Sequence, residues 1–275
     1  MMNCSLAKLT KEELEKCVLP FIPKNKRGFP SRFDSCDIFK CIVHKLKTGC
    51  QWSCLFVDIE SFKPPFSWQI VYYFYKKWSK ENVYKQMFDT YLEIQQDKLD
   101  TEKLNLDGTH SLVKKSAQSV AYQYRKKGKT SNVLIITDGK GIPISIGDIL
   151  QGNHNDLYRI VPQFATMIKE LNNKNICVEN SILNADKGFD SKRFRRAIMR
   201  RNMVPNIKEN TRNRKTKKRG KKRFYNNEIY KTRFVNERCF AWIDSFRTLL
   251  VRFDKIDKHW LDWHYLAFAL ILMKV

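Results

Sequence analysis

Two short runs rich in β-branched residues, Asn132 to Thr137 and Ile142 to Ile149, flank the tetrapeptide Asp138-Gly139-Lys140-Gly141. An Asp-Gly turn between such runs is a strong local signal for a β-hairpin. It places a sheet in the middle of the chain, and the flanking pattern supplies its neighbours. Lys103 to Asp107 alternates, with Leu104 and Leu106 on one face. Leu157 to Leu171 has helical periodicity, and Cys177 to Leu183 reads as a strand followed at once by Asn184-Ala185-Asp186-Lys187-Gly188. Ser191 caps a basic helix running to about Asn202, Met203 to Ile207 is a short strand, and Tyr230 to Leu250 is helical again. Strand, hairpin, helix, strand, helix, strand, helix predicts a mixed α/β sheet with flanking helices.

Residues 1–95 read as helices. Asp34 to Leu46 carries apolar side chains at 38, 39, 42, 43 and 46, and Gly49 can end that helix. Ser67 is placed to cap a second one, with Trp68, Val71, Tyr72, Tyr75 and Trp78 at helical steps. Two helices around a loop with Gly49 and Pro64-Pro65 suit a helix-turn-helix-like DNA-binding region. A helical bundle whose aromatics are simply core fits the same pattern. Trp242 and Phe246 are expected in the core. Trp260, Trp263, Tyr265, Phe268 and Leu272 mark a terminal apolar helix too short to span a bilayer.

Charge narrows the partner. The chain has 52 Lys plus Arg against 28 Asp plus Glu, a net charge of +24. Residues 187–238 hold 20 of the bases and only 4 of the acids, densest from Thr211 to Arg223. Such an excess points to a polyanion, and this stretch reads as a basic insertion at about 208–228 that neutralises phosphates. Met1 to Lys11 lacks the basic-then-apolar order of a secretory signal, so a cytoplasmic, DNA-associated protein with free thiols is expected. Cys36, Cys41, Cys50 and Cys54 are not spaced like paired zinc knuckles.

Three acids stand at chemically suggestive positions. Asp107 ends a strand-like segment before Gly108, Asp186 follows an apolar strand, and Glu237 lies in an amphipathic helix with Tyr230 and Arg233 at i, i+3, i+7 spacing. Each alone reads equally as a turn, a cap or an ion-pair residue. Together they suit two hard divalent ions of the kind used in phosphoryl transfer. His110 and His154 flank carboxylates, either as supporting residues or as turn histidines. Lys114, Lys115, Arg125, Lys126 and Lys127 either line a DNA channel or are simply solvated.

The chain resembles bacterial insertion-sequence transposases of the DDE type (insertion-sequence four/five group), which have an RNase H-like catalytic domain. The likeness rests on Asp107-Gly108-Thr109-His110 and on the stretch from Gly128 to Pro143. It also rests on Gly152-Asn153-His154-Asn155-Asp156, on Asn184 to Asp190, and on Tyr230-x-x-Arg233-x-x-x-Glu237-Arg238 with Phe240-Ala241-Trp242. Gly49-x-x-Trp52-x-x-Leu55 and Trp68-x-x-Val71-Tyr72-Tyr73-Phe74 with Trp78 resemble the helical DNA-binding region of these enzymes. The resemblance implies residues 96–275 as the catalytic domain. It implies Asp107, Asp186 and Glu237 as the catalytic triad holding two Mg²⁺ or Mn²⁺ ions. It implies that Tyr230 and Arg233 position DNA, and DNA contacts are expected also from Lys217, Lys218, Arg219, Lys221, Lys222 and Arg223 of the basic insertion. Many relatives carry a Lys beyond the Glu; here that place is Asp244, with Arg247 the nearest base. The implied activity is cutting element ends and joining the 3′-hydroxyls to target DNA, by an enzyme acting as a homodimer. A metal-dependent nuclease and an inactive transposase-derived DNA-binding protein are the alternatives.

Overall fold

The computed structural model describes residues 11–23, 31–55, 66–211, 220 and 223–274. In chain order the strands are β1 (Lys103–Val113), β2 (Ala121–Gln123), β3 (Gly128–Thr137), β4 (Pro143–Ile146), β5 (Leu150–Gln151), β6 (Ile182–Ala185), β7 (Val204–Ile207) and β8 (Val251–Arg252). β1 is central. β3 runs antiparallel to it, and β2, β4 and β5 are antiparallel to β3. On the other side β6 is parallel to β1, and β7 is parallel to β6. The path β4-β3-β1-β6-β7, an antiparallel meander continued by two parallel strands, is the RNase H-like order. Each parallel crossover carries a helix: α5 (Ile160–Asn172) before β6 and α6 (Lys192–Met199) before β7.

The central hairpin forms where its turn residues place it. Asp138 is fully buried, and its Oδ1 accepts from the backbone N–H of Lys140 (3.0 Å) and Ile142 (2.7 Å). Gly141 takes φ +83°, where an added Cβ would meet the Val235 carbonyl oxygen at 2.8 Å. The second run breaks after Ile146, so β4 and β5 are separate. The strand predicted at Cys177–Leu183 lies instead at Ile182–Ala185. Asn180 is left-handed (φ 62°), which interrupts extended backbone before that point. Ser191 caps α6, its hydroxyl accepting from Phe194 N–H at 3.1 Å.

The helix predicted from Tyr230 to Leu250 is three helices. They are α7 (Asn227–Lys231), α8 (Val235–Asp244) and α9 (Arg247–Leu250), and a 3₁₀ turn over Thr232–Phe234 separates the first two. A 3₁₀ turn advances about 120° per residue against about 100° in an α-helix, so three such residues rotate the downstream helix by roughly 60°. That shift still leaves residues 230, 233 and 237 within about 60° of one another around the axis, so the turn alone does not decide where Glu237 lies.

The N-terminal helices are α1 (Lys11–Cys17), α2 (Ser35–Thr48), α3 (Trp68–Lys80) and α4 (Val83–Ile94). Asp34 caps α2 through Cys36 N–H (2.8 Å), and Gly49 ends it in the left-handed region. Residues 49–67 connect α2 to α3, a long link beside the three- or four-residue turn of a helix-turn-helix. α3 and α4 pack against α10 (Asp257–Leu272). Tyr75 stacks on Trp263 at 4.3 Å, and Phe88 meets Tyr265 and Phe268. The aromatic stripe of α3 thus joins one core continuous with the sheet. Burial pushes the Cys41 thiol up to about 12, as suits a cysteine that acts as a small hydrophobe. Among the described residues no helix is long and apolar enough to cross a membrane.

Candidate active site

Unequal strand lengths create the site. β6 pairs with β1 only as far as Ala185 opposite Leu106. The next residue in each segment is an aspartate. Asp186 follows the end of β6, while Asp107 stands in the middle of β1 and does not end a strand as its sequence implies, because β1 continues to Val113 by pairing with β3. Parallel neighbours lie about 4.8 Å apart, so both carboxylates emerge side by side where β1 outruns its partner.

A buried polar ladder fixes that edge. Asn105, Asn184 and Asn206 are in register on β1, β6 and β7, and none has exposed surface. Asn206 Nδ2 donates to Asn184 Oδ1 (2.8 Å), Asn184 Nδ2 to Asn105 Oδ1 (3.0 Å), and Asn105 Nδ2 to the Asp138 carbonyl (3.2 Å). The ladder also seizes the start of α7. Asn206 Oδ1 accepts from Asn226 N–H (2.8 Å) and its Nδ2 donates to the Asn226 carbonyl (3.0 Å). Asn184 Nδ2 also donates to the Ile229 carbonyl (3.3 Å).

With α7 held there, the next residues reach the acids. Tyr230 donates its hydroxyl to Asp186 Oδ1 (3.3 Å), and Arg233 Nη1 pairs with Asp107 Oδ2 (2.9 Å). Asp107 Oδ1 accepts from Gly108 N–H (2.9 Å). Burial raises the Asp107 carboxyl above the usual range. The Gly108 N–H and Arg233 oppose that shift, while the charges of Asp156 and Asp186 add to it. Burial also raises the Tyr230 hydroxyl.

Four predicted residues, Asp107, Asp186, Tyr230 and Arg233, therefore meet. Glu237 does not join them. It is exposed at the start of α8 and makes no ion pair or hydrogen bond among the described residues. In its place the structure brings Asp156, from the segment between β5 and α5, into the electrostatic field of both aspartates. Its carboxyl is raised by burial first, then by Asp186, against Arg125 and a hydrogen bond from Asn132. The sequence signal for it was its place in the Gly152-Asn153-His154-Asn155-Asp156 motif.

The histidines stand apart. His154 stacks flat on Tyr158 (3.6 Å, 5°). Burial, with Arg125 and Lys126 nearby, pulls His110 down to about 4, so it is neutral at pH 7. Arg125 and Lys126 are exposed on the β2–β3 turn beside the site, and Lys126 also acts on Asp244, which is exposed, as is Arg247. Phe246 is buried and Trp242 half-buried under Arg238.

Lys217, Lys218, Arg219, Lys221 and Lys222 lie outside the described residues. Arg223 is engaged by protein: its Nη1 bonds Asp190 Oδ1 at 2.8 Å. Asp190 also takes Arg195 Nε (2.8 Å) and, through Oδ2, Asn210 N–H (2.9 Å). One carboxylate thus ties residues 210 and 223, the two margins of the basic segment, four positions beyond Asp186.

The donors at the strand ends are all hard oxygens, the chemistry that suits Mg²⁺ or Mn²⁺. Among the described residues no three acid, histidine or cysteine side chains are gathered closely enough to share an ion as they stand, and Arg233 occupies one oxygen of Asp107.

An RNase H-like sheet with paired aspartates at its open end defines a nucleic-acid-processing type of domain. The chain belongs to the transposase DDE domain family, whose sequence model matches residues 99–272. A Burkholderia cepacia protein assigned as the transposase of insertion sequence element IS402 is 32% identical over 124 residues, 44% of this chain and 52% of that protein. The chain thus spans about half the length of that relative. Among solved structures, the Mos1 transposase paired-end complex with left transposon end aligns at 14% identity and TM-score 0.29, covering 91% of this chain and 80% of its own. The catalytic domain of the Mos1 mariner transposase aligns at 12% identity and TM-score 0.30, covering 68% and 88%.

Proposed function

We propose that this chain is a DNA transposase that cuts insertion-element ends and joins the freed 3′-hydroxyls to target DNA. The observation that carries the reading is the placement of Asp107, on β1 just past the end of its pairing with β6, beside Asp186, just after β6, each held by a signature side chain, Arg233 or Tyr230. Asp107, Asp186 and Glu237 are the proposed holders of two Mg²⁺ or Mn²⁺ ions. The chemistry such ions supply is activation of the attacking oxygen and stabilisation of the leaving one. Glu237 is exposed on α8 in this structure, so its share in holding the ions requires α8 to move relative to α7.

Arg233 and Tyr230 hold the two aspartates in the DNA-free chain. When DNA enters, the planar guanidinium that now gives Asp107 one Nη1 contact can offer a phosphate a bidentate fork. The basic segment between residues 210 and 223 supplies sequence-independent phosphate binding, and residues 1–95 supply further DNA contacts. Two ends must be joined in one event, so the active form is a homodimer, working on DNA in the bacterial cytoplasm.

The test uses purified protein, DNA carrying the element's own ends, and Mg²⁺ or Mn²⁺. Cleavage at the ends, and joining of precut ends to a target, are expected. Cleavage without joining would make the protein a nuclease instead. Asp107→Asn is expected to abolish cleavage while end binding persists; cleavage at the wild-type rate would overturn the site assignment.

A further inference from the structure

Asp156 approaches the open end of the sheet from a direction that neither Tyr230 nor Arg233 uses. Successive residues of a strand point to opposite faces, so Asp107 and the side-chain position of Gly108 diverge. Arg233 meets Asp107 on one face. Asp156 lies against Gly108 on the other: a Cβ there would sit 3.5 Å from Asp156 Oδ1. The second oxygen points across the gap. A Cβ on Gly188 would sit 3.5 Å from Asp156 Oδ2 and 4.0 Å from Asp186 Oδ2. One carboxylate thus spans the space between the Asp107 strand and the turn after Asp186, and glycine on each side leaves that space open.

A second feature points into the same space. Asn132 on β3 is 1% exposed, and its Oδ1 accepts no hydrogen bond among the described residues. That oxygen lies 3.2 Å from the same Gly108 Cβ position. A buried amide oxygen without a donor is unfavourable and calls for an explanation, an ion or a bound water among them. Asp156 itself forms no ion pair among the described residues, although it is partly buried. A partly buried carboxylate that forms no ion pair among the described residues, with Arg125 acting only through its field, and that lies near Asp186, Asp107 and an orphaned amide oxygen, is an oxygen-rich cradle suited to a hard cation.

We infer that Asp156 is a further oxygen ligand of the divalent-cation site, entering from the face of the sheet opposite Arg233, with Asn132 Oδ1 accepting from a water of the bound ion. The inference rests on the metal-dependent reading above and adds to it a residue from outside the Asp-Asp-Glu set.

The test is a titration of the full chain with Mn²⁺ in the absence of DNA, followed by electron paramagnetic resonance of free Mn²⁺ and by the Mn²⁺-induced rise in melting temperature. Asp156→Asn, nearly isosteric, is expected to weaken Mn²⁺ binding by about tenfold or more, and Asn132→Ala by a smaller factor. Glu179→Gln, which removes an exposed acid elsewhere, is expected to bind as wild type does. Should Asp156→Asn lose its fold, Asn132→Ala carries the test through the melting shift. If wild type binds Mn²⁺, Asp107→Asn weakens it, and neither the Asp156 nor the Asn132 variant does, the inference is overturned and the parent reading stands. If wild type itself takes up no Mn²⁺, both fall together.

Discussion

Asn184→Ala tests whether the buried asparagine ladder organises the site. Asn184 donates to Asn105 Oδ1 and the Ile229 carbonyl, and accepts from Asn206 Nδ2. Truncation leaves Asn105 Oδ1 with no donor and the Ile229 carbonyl with one partner fewer. Asn206 Nδ2 keeps only the Asn226 carbonyl. Each buried polar group left unpaired costs about 1–3 kcal/mol. With at least one full orphan and two weakened partners, the expected loss is about 3–5 kcal/mol. That is a large part of the roughly 5–15 kcal/mol that holds a typical domain together. Urea denaturation measures it as a fall in midpoint at unchanged slope. A double-mutant cycle with Asn206→Ala should show strong non-additivity, since both residues serve the same hydrogen bonds and the same end of α7. A loss below about 1 kcal/mol, or simple additivity, would refute the claim that the ladder holds α7, and with it Tyr230 and Arg233, against the sheet.

Asp190→Ala strips Arg195 (4% exposed) of its carboxylate and unhooks Asn210 and Arg223. Breaking a buried pair from one side costs about 3–5 kcal/mol, so a clear drop in melting temperature and faster proteolysis between residues 210 and 223 are expected. Unchanged proteolysis would show that Asp190 does not tether that segment. Replacing Lys217, Lys218, Arg219, Lys221 and Lys222 by Ala should flatten the log–log salt dependence of DNA binding by up to about 4.5, at about 0.9 per phosphate contact; an unchanged slope would place the phosphate contacts elsewhere. Asp262, buried on α10 against Ser79, has its carboxyl pushed up to about 6, mainly by burial. The folded chain therefore holds that proton where the unfolded chain releases it, so Asp262 makes stability fall as pH rises from about 4 to about 6. The fall is of order 2–3 kcal/mol. Asp262→Asn should remove that part of the pH dependence, read by denaturant midpoints at several pH values. An unchanged profile would refute the assignment.

Much of the fold was legible because its signals are local. The Asp138 turn, the Ser191 cap and the Gly49 helix end each depend on residues within a few positions, and each forms as its sequence implies, whereas Ser67 stands at the start of α3 without a side-chain cap bond. The misplaced strand near Cys177 and the broken helix after Tyr230 share a cause. Periodicity reports an average over a window, whereas one left-handed Asn180 or one 3₁₀ turn at Thr232 resets the chain at a point.

The amino-acid order by itself determined the central hairpin, the mixed α/β class, the basic segment and the aspartates Asp107 and Asp186 as candidates, because turn chemistry, alternation and charge are properties of neighbours along the chain. Only the tertiary structure decided which acids meet. The register of β1 on β6 sets Asp107 beside Asp186, the segment between β5 and α5 brings Asp156 next to Gly108 and Gly188, and Glu237 on α8 is left exposed. Those outcomes depend on strand register and on space between segments far apart in sequence, and neither is encoded in any single window of residues.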